Sequence, residues 1–131
     1  MSLAAPAALE VAYGYELKAT EDPRYRRLLA WFAGLVASGS FNVVPLDGRA
    51  AIVAGQMRAR SRHPPPRRRG DPRSKTMRQA SWLMDVEIAA TAFAAGLDVA
   101  TDNGGDFELL SDLLAELYPE AARLVVSDPP I

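Results

Sequence analysis

Apolar residues recur at helical spacing along most of this chain, and short apolar runs separate the helical segments. In "APAALEVAYGYELKA", residues 5–19, Leu9, Ala12, Tyr13 and Leu17 keep that spacing, and Pro6 suits a first turn, so a helix is predicted. Asp22 and Pro23 form an N-cap and first-position pair for "RYRRLLAWFAGLVA", which carries Leu28, Leu29, Phe32, Leu35 and Val36 on one face and should stop near Gly39. The short β-branched run "FNVVPL", 41–46, predicts a strand with Pro45 at its end, and Asp47 caps a third helix reaching to about residue 60.

From Ser61 to Gln79 the sequence "SRHPPPRRRGDPRSKTMRQ" has three consecutive prolines and almost no apolar residues, so a mobile basic loop is predicted over 61–79. "SWLMDVEIAATAFAAG" is apolar nearly all round, as a helix buried on several sides would be, with Gly96 at its C-terminus. "LDVAT" reads as a strand, "FELLSDLLAELY" as an amphipathic helix ended by Pro119, and "RLVVS" as a last strand. Helices alternating with short apolar strands predict one α/β domain over 1–131 with a mainly parallel sheet. Trp31, Trp82, Phe32 and Phe93 fall on apolar helix faces and are assigned to the core.

Composition narrows the chemistry. The 131 residues suffice for one ordinary domain, and 49% hydrophobic content suffices for its core. With no cysteine and a single histidine, His63, disulfides, thiolate catalysis and cysteine- or histidine-rich metal sites are excluded, so any metal must be held by oxygens. His63, in a polar loop beside prolines, carries no functional signal. The start has no basic segment followed by an apolar run, and no stretch of about 18 apolar residues occurs, which predicts a soluble, cytoplasmic protein without membrane contact. The net charge of −1 conceals an asymmetry: nine of the fifteen basic residues lie between Arg58 and Arg78, where Asp71 is the only acid. Arg67, Arg68 and Arg69 are candidate contacts for a phosphate backbone, while the same basic loop could be a disordered, solvated linker or could dock on the acidic body or on a partner.

The acids suggest a site. "TDNGGDF" follows the strand "LDVA", and open parallel sheets keep their functional crevice beyond the carboxyl ends of strands, so Asp102, Asn103 and Asp106 should lie at such an edge. Asp85 begins the preceding helix and Glu10 interrupts an apolar helix near the chain start. Each acid also has a plain structural role open to it: Asp85 as a complement to a helix dipole, Asp106 as an N-cap, Glu10 as a solvated helix residue. If the acids converge, no lysine or arginine in their immediate sequence balances them, and a divalent cation would. Oxygen-only donors point to Mg2+ or Mn2+.

"MDVEIAATAFAAGLDVATDNGGDFELL" resembles the second half of PIN-domain ribonucleases, especially VapC-type toxins of bacterial toxin–antitoxin pairs, and "PAALEVAYG" resembles the family's earlier acidic helix motif. The resemblance runs from about residue 5 to 127. It implies a three-layer α/β/α fold and a metal-dependent endoribonuclease in which Glu10, Asp85 and Asp106 are catalytic and bind Mg2+ or Mn2+. Asp102 would assist as a further metal contact, with Thr101 and Asn103 in support. It also implies RNA, a cognate antitoxin and a second copy of the chain as partners. The family's opening strand with its aspartate has no counterpart here, so the resemblance is to an N-terminally truncated domain. The alternative is a catalytically impaired PIN-like remnant that binds RNA or protein without cutting.

Overall fold

The computed structural model describes residues 2–129 and has an α/β fold of five helices with short, parallel-paired strands. The chain divides into two compact units, Met1–Pro45 and Leu46–Ile131. Among the described residues no helix is long and apolar enough to cross a membrane.

In the first unit, β1 (Ser2–Ala4) pairs in parallel with β2 (Asn42–Val44), Leu3 opposite Val43. Between them run α1 (Ala5–Ala19) and α2 (Arg24–Ala37). β1 is not among the elements the hydrophobic pattern predicts, because three residues are too few to show an alternation. The Asp22–Pro23 pair stands at the start of α2 but one position earlier than predicted: Pro23, with helical dihedrals, is the cap residue, and the Asp22 carboxylate before it accepts from the Arg24 backbone N–H at 3.0 Å. The helix ends where Gly39 takes φ +77°, with Ser40 N–H donating back to the Leu35 carbonyl, a left-handed cap that a side chain would strain. Phe32 is buried and meets Tyr15 and Phe41 with ring centroids 6.5 and 6.2 Å apart. One expectation fails here. Trp31 is 58% exposed rather than core, and Leu9, Tyr13 and Leu17 of the α1 apolar stripe are exposed too. Helical spacing aligns residues on one face without saying what covers that face.

The second unit contains α3 (Gly48–Arg60), α4 (Lys75–Ala95), β3 (Val99–Ala100), α5 (Gly104–Leu117) and β4 (Val126–Ser127). β3 and β4 pair in parallel around α5 as a small βαβ unit, and the ladder continues through Thr101 N–H to the Ser127 carbonyl at 3.0 Å. The predicted Asp47 cap holds: its carboxylate accepts from Ala50 N–H at 2.9 Å. α4 is the central element, packed against α3 and α5, which is why its sequence is apolar nearly all round. Val53, Ala54 and Met57 of α3, Trp82, Val86 and Ala89 of α4, and Phe107, Leu110 and Leu114 of α5 form the core. Phe93 packs against it half-buried. The buried Ser111 hydroxyl donates to the Leu124 carbonyl at 2.7 Å and so ties α5 to the segment before β4.

Two boundaries differ from the sequence reading. α4 begins at Lys75, so residues 75–79 are helical rather than loop. Ser74 supplies the start by accepting from Met77 N–H at 3.1 Å, and the added turn is solvent-facing, so its polar composition is no obstacle. α5 begins at Gly104 with Asn103 in the cap position, which makes Asp106 a first-turn residue instead of the cap. At its far end α4 stops as predicted at Gly96, φ +69°.

Candidate functional site

The end of β3 runs directly into the loop that starts α5, and local bonds shape that loop. Thr101 Oγ1 accepts from the Asn103 backbone N–H at 3.0 Å, which turns the chain so that the Asn103 side chain faces α4. There the Asn103 amide nitrogen donates to Asp85 Oδ2 at 3.3 Å and to Asp106 Oδ2 at 3.1 Å. One amide thus joins two carboxylates from two different helices. They line a small polar cavity of about 60 Å3, room for a few water-sized groups, together with Arg68, Arg73 and Ser81.

The cavity's positive side comes from the basic loop. Arg68 Nη2 pairs with Asp106 Oδ1 at 3.3 Å, and it lies against Gly105, where an added Cβ would come within 2.7 Å of it. Close approach of the guanidinium therefore depends on that glycine. Arg73 donates from Nε and Nη2 to the two oxygens of Asp71 at 3.1 and 3.0 Å and from Nη1 to Ser81 Oγ at 3.2 Å. The bonds to Asp71 hold the Arg73 guanidinium above its ordinary pKa, with further attraction from Asp106 and Asp85. The immediate sequence of these acids offers no such base. The charge they lack in neighbouring sequence arrives through the fold, across 38 positions in the case of Arg68.

The loop itself is tied to α4 at several points. Trp82 Nε1 donates to the Ser61 carbonyl at 3.1 Å, and Gln79 Nε2 donates to the Arg62 carbonyl at 2.7 Å. Within the loop, Arg67 Nε donates to the Asp71 carbonyl at 2.9 Å. Asp71 and Arg73 are functional neighbours that the acidic motif did not reveal, but a signal existed. "DPR" occurs twice, at 22–24 and 71–73, and folds identically both times: the aspartate accepts from the arginine backbone N–H at 3.0 Å and from its guanidinium. Proline fixes φ and offers no N–H of its own, so the next N–H closes the turn onto the carboxylate.

The side-chain and backbone bonds from Arg73 draw the Asp71 carboxyl down to a pKa of about 2. Its folded value lies below the ordinary value near 3.9, so the contribution of this turn is complete above that range and is lost as pH falls through about 2. A carbon-detected NMR titration is expected to show the Asp71 carboxyl unchanged from pH 8 to 5, with its midpoint near the shifted value. A midpoint in the ordinary aspartate range would show the pair is not formed in solution.

Two candidates of the second unit, Asp102 and Arg69, fall outside this cluster. Asp102 is exposed and does not line the cavity, and Arg69 is exposed on the loop. Glu10 is an exposed residue of α1 in the first unit. Among the described residues no group of three or more acidic or histidine side chains gathers as a metal set; the oxygen donors that converge are Asp85, Asp106 and Asn103. No protein-family model matches the chain, and no match to it is found among curated proteins.

Proposed function

We propose that the second unit carries a metal-dependent ribonuclease site of PIN type, in which Asp85 and Asp106 hold Mg2+ or Mn2+. The observation that carries this reading is the convergence of the two carboxylates on one Asn103 amide, in a polar cavity at the carboxyl end of β3. The donor chemistry fits the ion: Mg2+ binds through one or two carboxylates and keeps several waters, so a pair suffices and the cavity leaves room for solvent. Bound there, the ion would supply an activated water and stabilise a leaving oxygen of a phosphodiester. The chain's own residues do the rest. Asn103 holds the two carboxylates toward each other, Thr101 sets the loop that carries it, and Arg67 and Arg73 at the cavity wall attract a phosphate backbone. Arg68 holds Asp106 until a cation competes for it. The three-layer PIN-like fold, the antitoxin and the pairing with a second copy belong to this proposal through the sequence resemblance.

One observation favours a binding-only alternative: Arg68 already pairs with Asp106, and Arg73 is attracted by both acids, so positive charge stands at the site without a cation. Calorimetric titration with Mg2+ and Mn2+, alongside cleavage assays on single-stranded RNA, separates the two readings. Saturable binding and cleavage, both abolished by Asp85→Asn and by Asp106→Asn, are the expected result. RNA binding without metal binding in the wild-type chain would establish the alternative instead.

A further inference from the structure

We propose that residues 61–74 form a strap closed over the acidic site, with Arg68 as its latch, and that a divalent cation taken up at Asp106 releases it to admit RNA. The latch stands on the contacts alone, whereas its role as a gate rests on the nuclease reading.

The closed strap leaves too little room for substrate. The stretch 64–68 lines the same cavity as Asp85, Asn103 and Asp106, and the space enclosed is about 60 Å3. A pocket that takes even a small organic ligand measures about 300 Å3 or more. A phosphodiester with its two sugars therefore reaches the two carboxylates only when the loop side moves away.

The contacts let the loop move in its middle and stay at its ends. Its start is held to α4 by Trp82 and Gln79, which donate to the Ser61 and Arg62 carbonyls. Its end is held by Arg73, bonded to Ser81, and by Ser74, which caps α4. Between these anchors Arg68 ties the loop to α5 through Asp106, and that tie is weak. It is 3.3 Å long, against about 2.7–2.9 Å for a strong charged pair, and Arg68 is 67% exposed. Gly70, two residues on, has φ +83°, so the chain turns beside the latch at a residue that carries no steric penalty there. The proline run 64–66 fixes φ at three successive positions, so this stretch moves as one piece.

Release follows from competition for one carboxylate. A cation at Asp106 displaces the guanidinium, because two charges at the same oxygens outweigh one. Once free, Arg68 joins Arg67 and Arg69 in attracting a phosphate backbone. Metal uptake and substrate entry are thereby coupled.

The test is limited trypsin digestion of the full chain, because cutting after Arg67, Arg68 or Arg69 tracks how often the loop is undocked. Two variants loosen the latch and keep every arginine. In Gly105→Ala the new methyl group would stand 2.7 Å from Arg68 Nη2, and Asp106→Asn removes the charge partner. Without metal, both are expected to be cut within 67–69 about fivefold faster than the wild type, the scale of an exposed pair. Mg2+ should raise the wild-type rate to that of Gly105→Ala and leave Asp106→Asn unchanged. Gly105→Ala, which loses no basic residue, should also cleave single-stranded RNA at about fivefold lower Mg2+. Wild-type rates of cutting elsewhere in the chain show that a variant is folded, and Gly105→Ala carries the test if Asp106→Asn is not. Equal metal-free rates in folded variants and wild type overturn the latch. A wild type that binds Mg2+ by calorimetry and is cut no faster overturns the release. Faster cutting in the variants of a chain that neither binds Mg2+ nor cleaves RNA keeps the latch and loses the nuclease reading, and the gate with it.

Discussion

Replacing Trp82 by alanine is expected to destabilise the second unit by about 3–5 kcal/mol, the usual cost of emptying the space of a large buried aromatic. Trp82 is only 4% exposed and belongs to the cluster that joins α3, α4 and α5. Its second role makes the prediction specific, because its indole N–H is bonded to the Ser61 carbonyl where the arginine loop leaves α3. Trp82→Phe keeps most of the bulk and removes the bond, so it should cost roughly 1 kcal/mol beyond the volume difference. It should also release the loop. Urea denaturation of the full chain measures the first effect, and hydrogen exchange across 61–74 measures the second. Destabilisation by Trp82→Ala below about 1 kcal/mol would mean that the α3–α4 packing does not exist as described.

On the proposed metal site, removing Arg68 is expected to tighten Mg2+ and Mn2+ binding about fivefold, corresponding to about 1 kcal/mol. That size follows from the exposure of the pair: Arg68 is 67% exposed and Asp106 17%, so solvent screens an attraction that would be larger in a dry interior. The guanidinium and a cation want the same carboxylate, and whichever is bound weakens the other. Gly105→Ala reaches the same end by another route. The new methyl group would stand 2.7 Å from Arg68 Nη2, which can swing away, and alanine favours the helix by up to about 1 kcal/mol. Both variants should therefore bind metal more tightly, and Gly105→Ala should be the more stable protein. Calorimetry and thermal unfolding decide this. If neither variant changes metal affinity while the wild type binds, Arg68 does not hold Asp106 in solution. If Asp106→Asn also leaves affinity unchanged, the ion sits elsewhere.

The residues that start and stop helices were legible without a structure. Asp22 with Pro23, Asp47, Gly39 and Gly96 act through atoms a few positions away, so their effect travels with the local sequence. The parallel pairing of short strands followed from their alternation with helices. Less legible was which apolar residue lies inside. Trp31 and Phe32 are adjacent on one helix, yet one is exposed and the other buried, because neighbours from other elements cover only one of them. Asp106 as a first-turn acid rather than a cap is a difference of three residues, within the range where Gly104 and Gly105 allow the helix to begin early.

For the candidate site the division is sharper. Sequence alone determined that the acids and the asparagine are present at the end of a strand, that any metal must bind through oxygens, and that one segment carries most of the positive charge. The tertiary structure decided that Asp85 and Asp106 share Asn103 and that Arg68 folds onto Asp106. A cap or a turn is set by bonds across two to four residues and can be read from the residues themselves. A charge partner 38 positions away is chosen by how α4 and α5 pack, and that packing is a property of the whole unit.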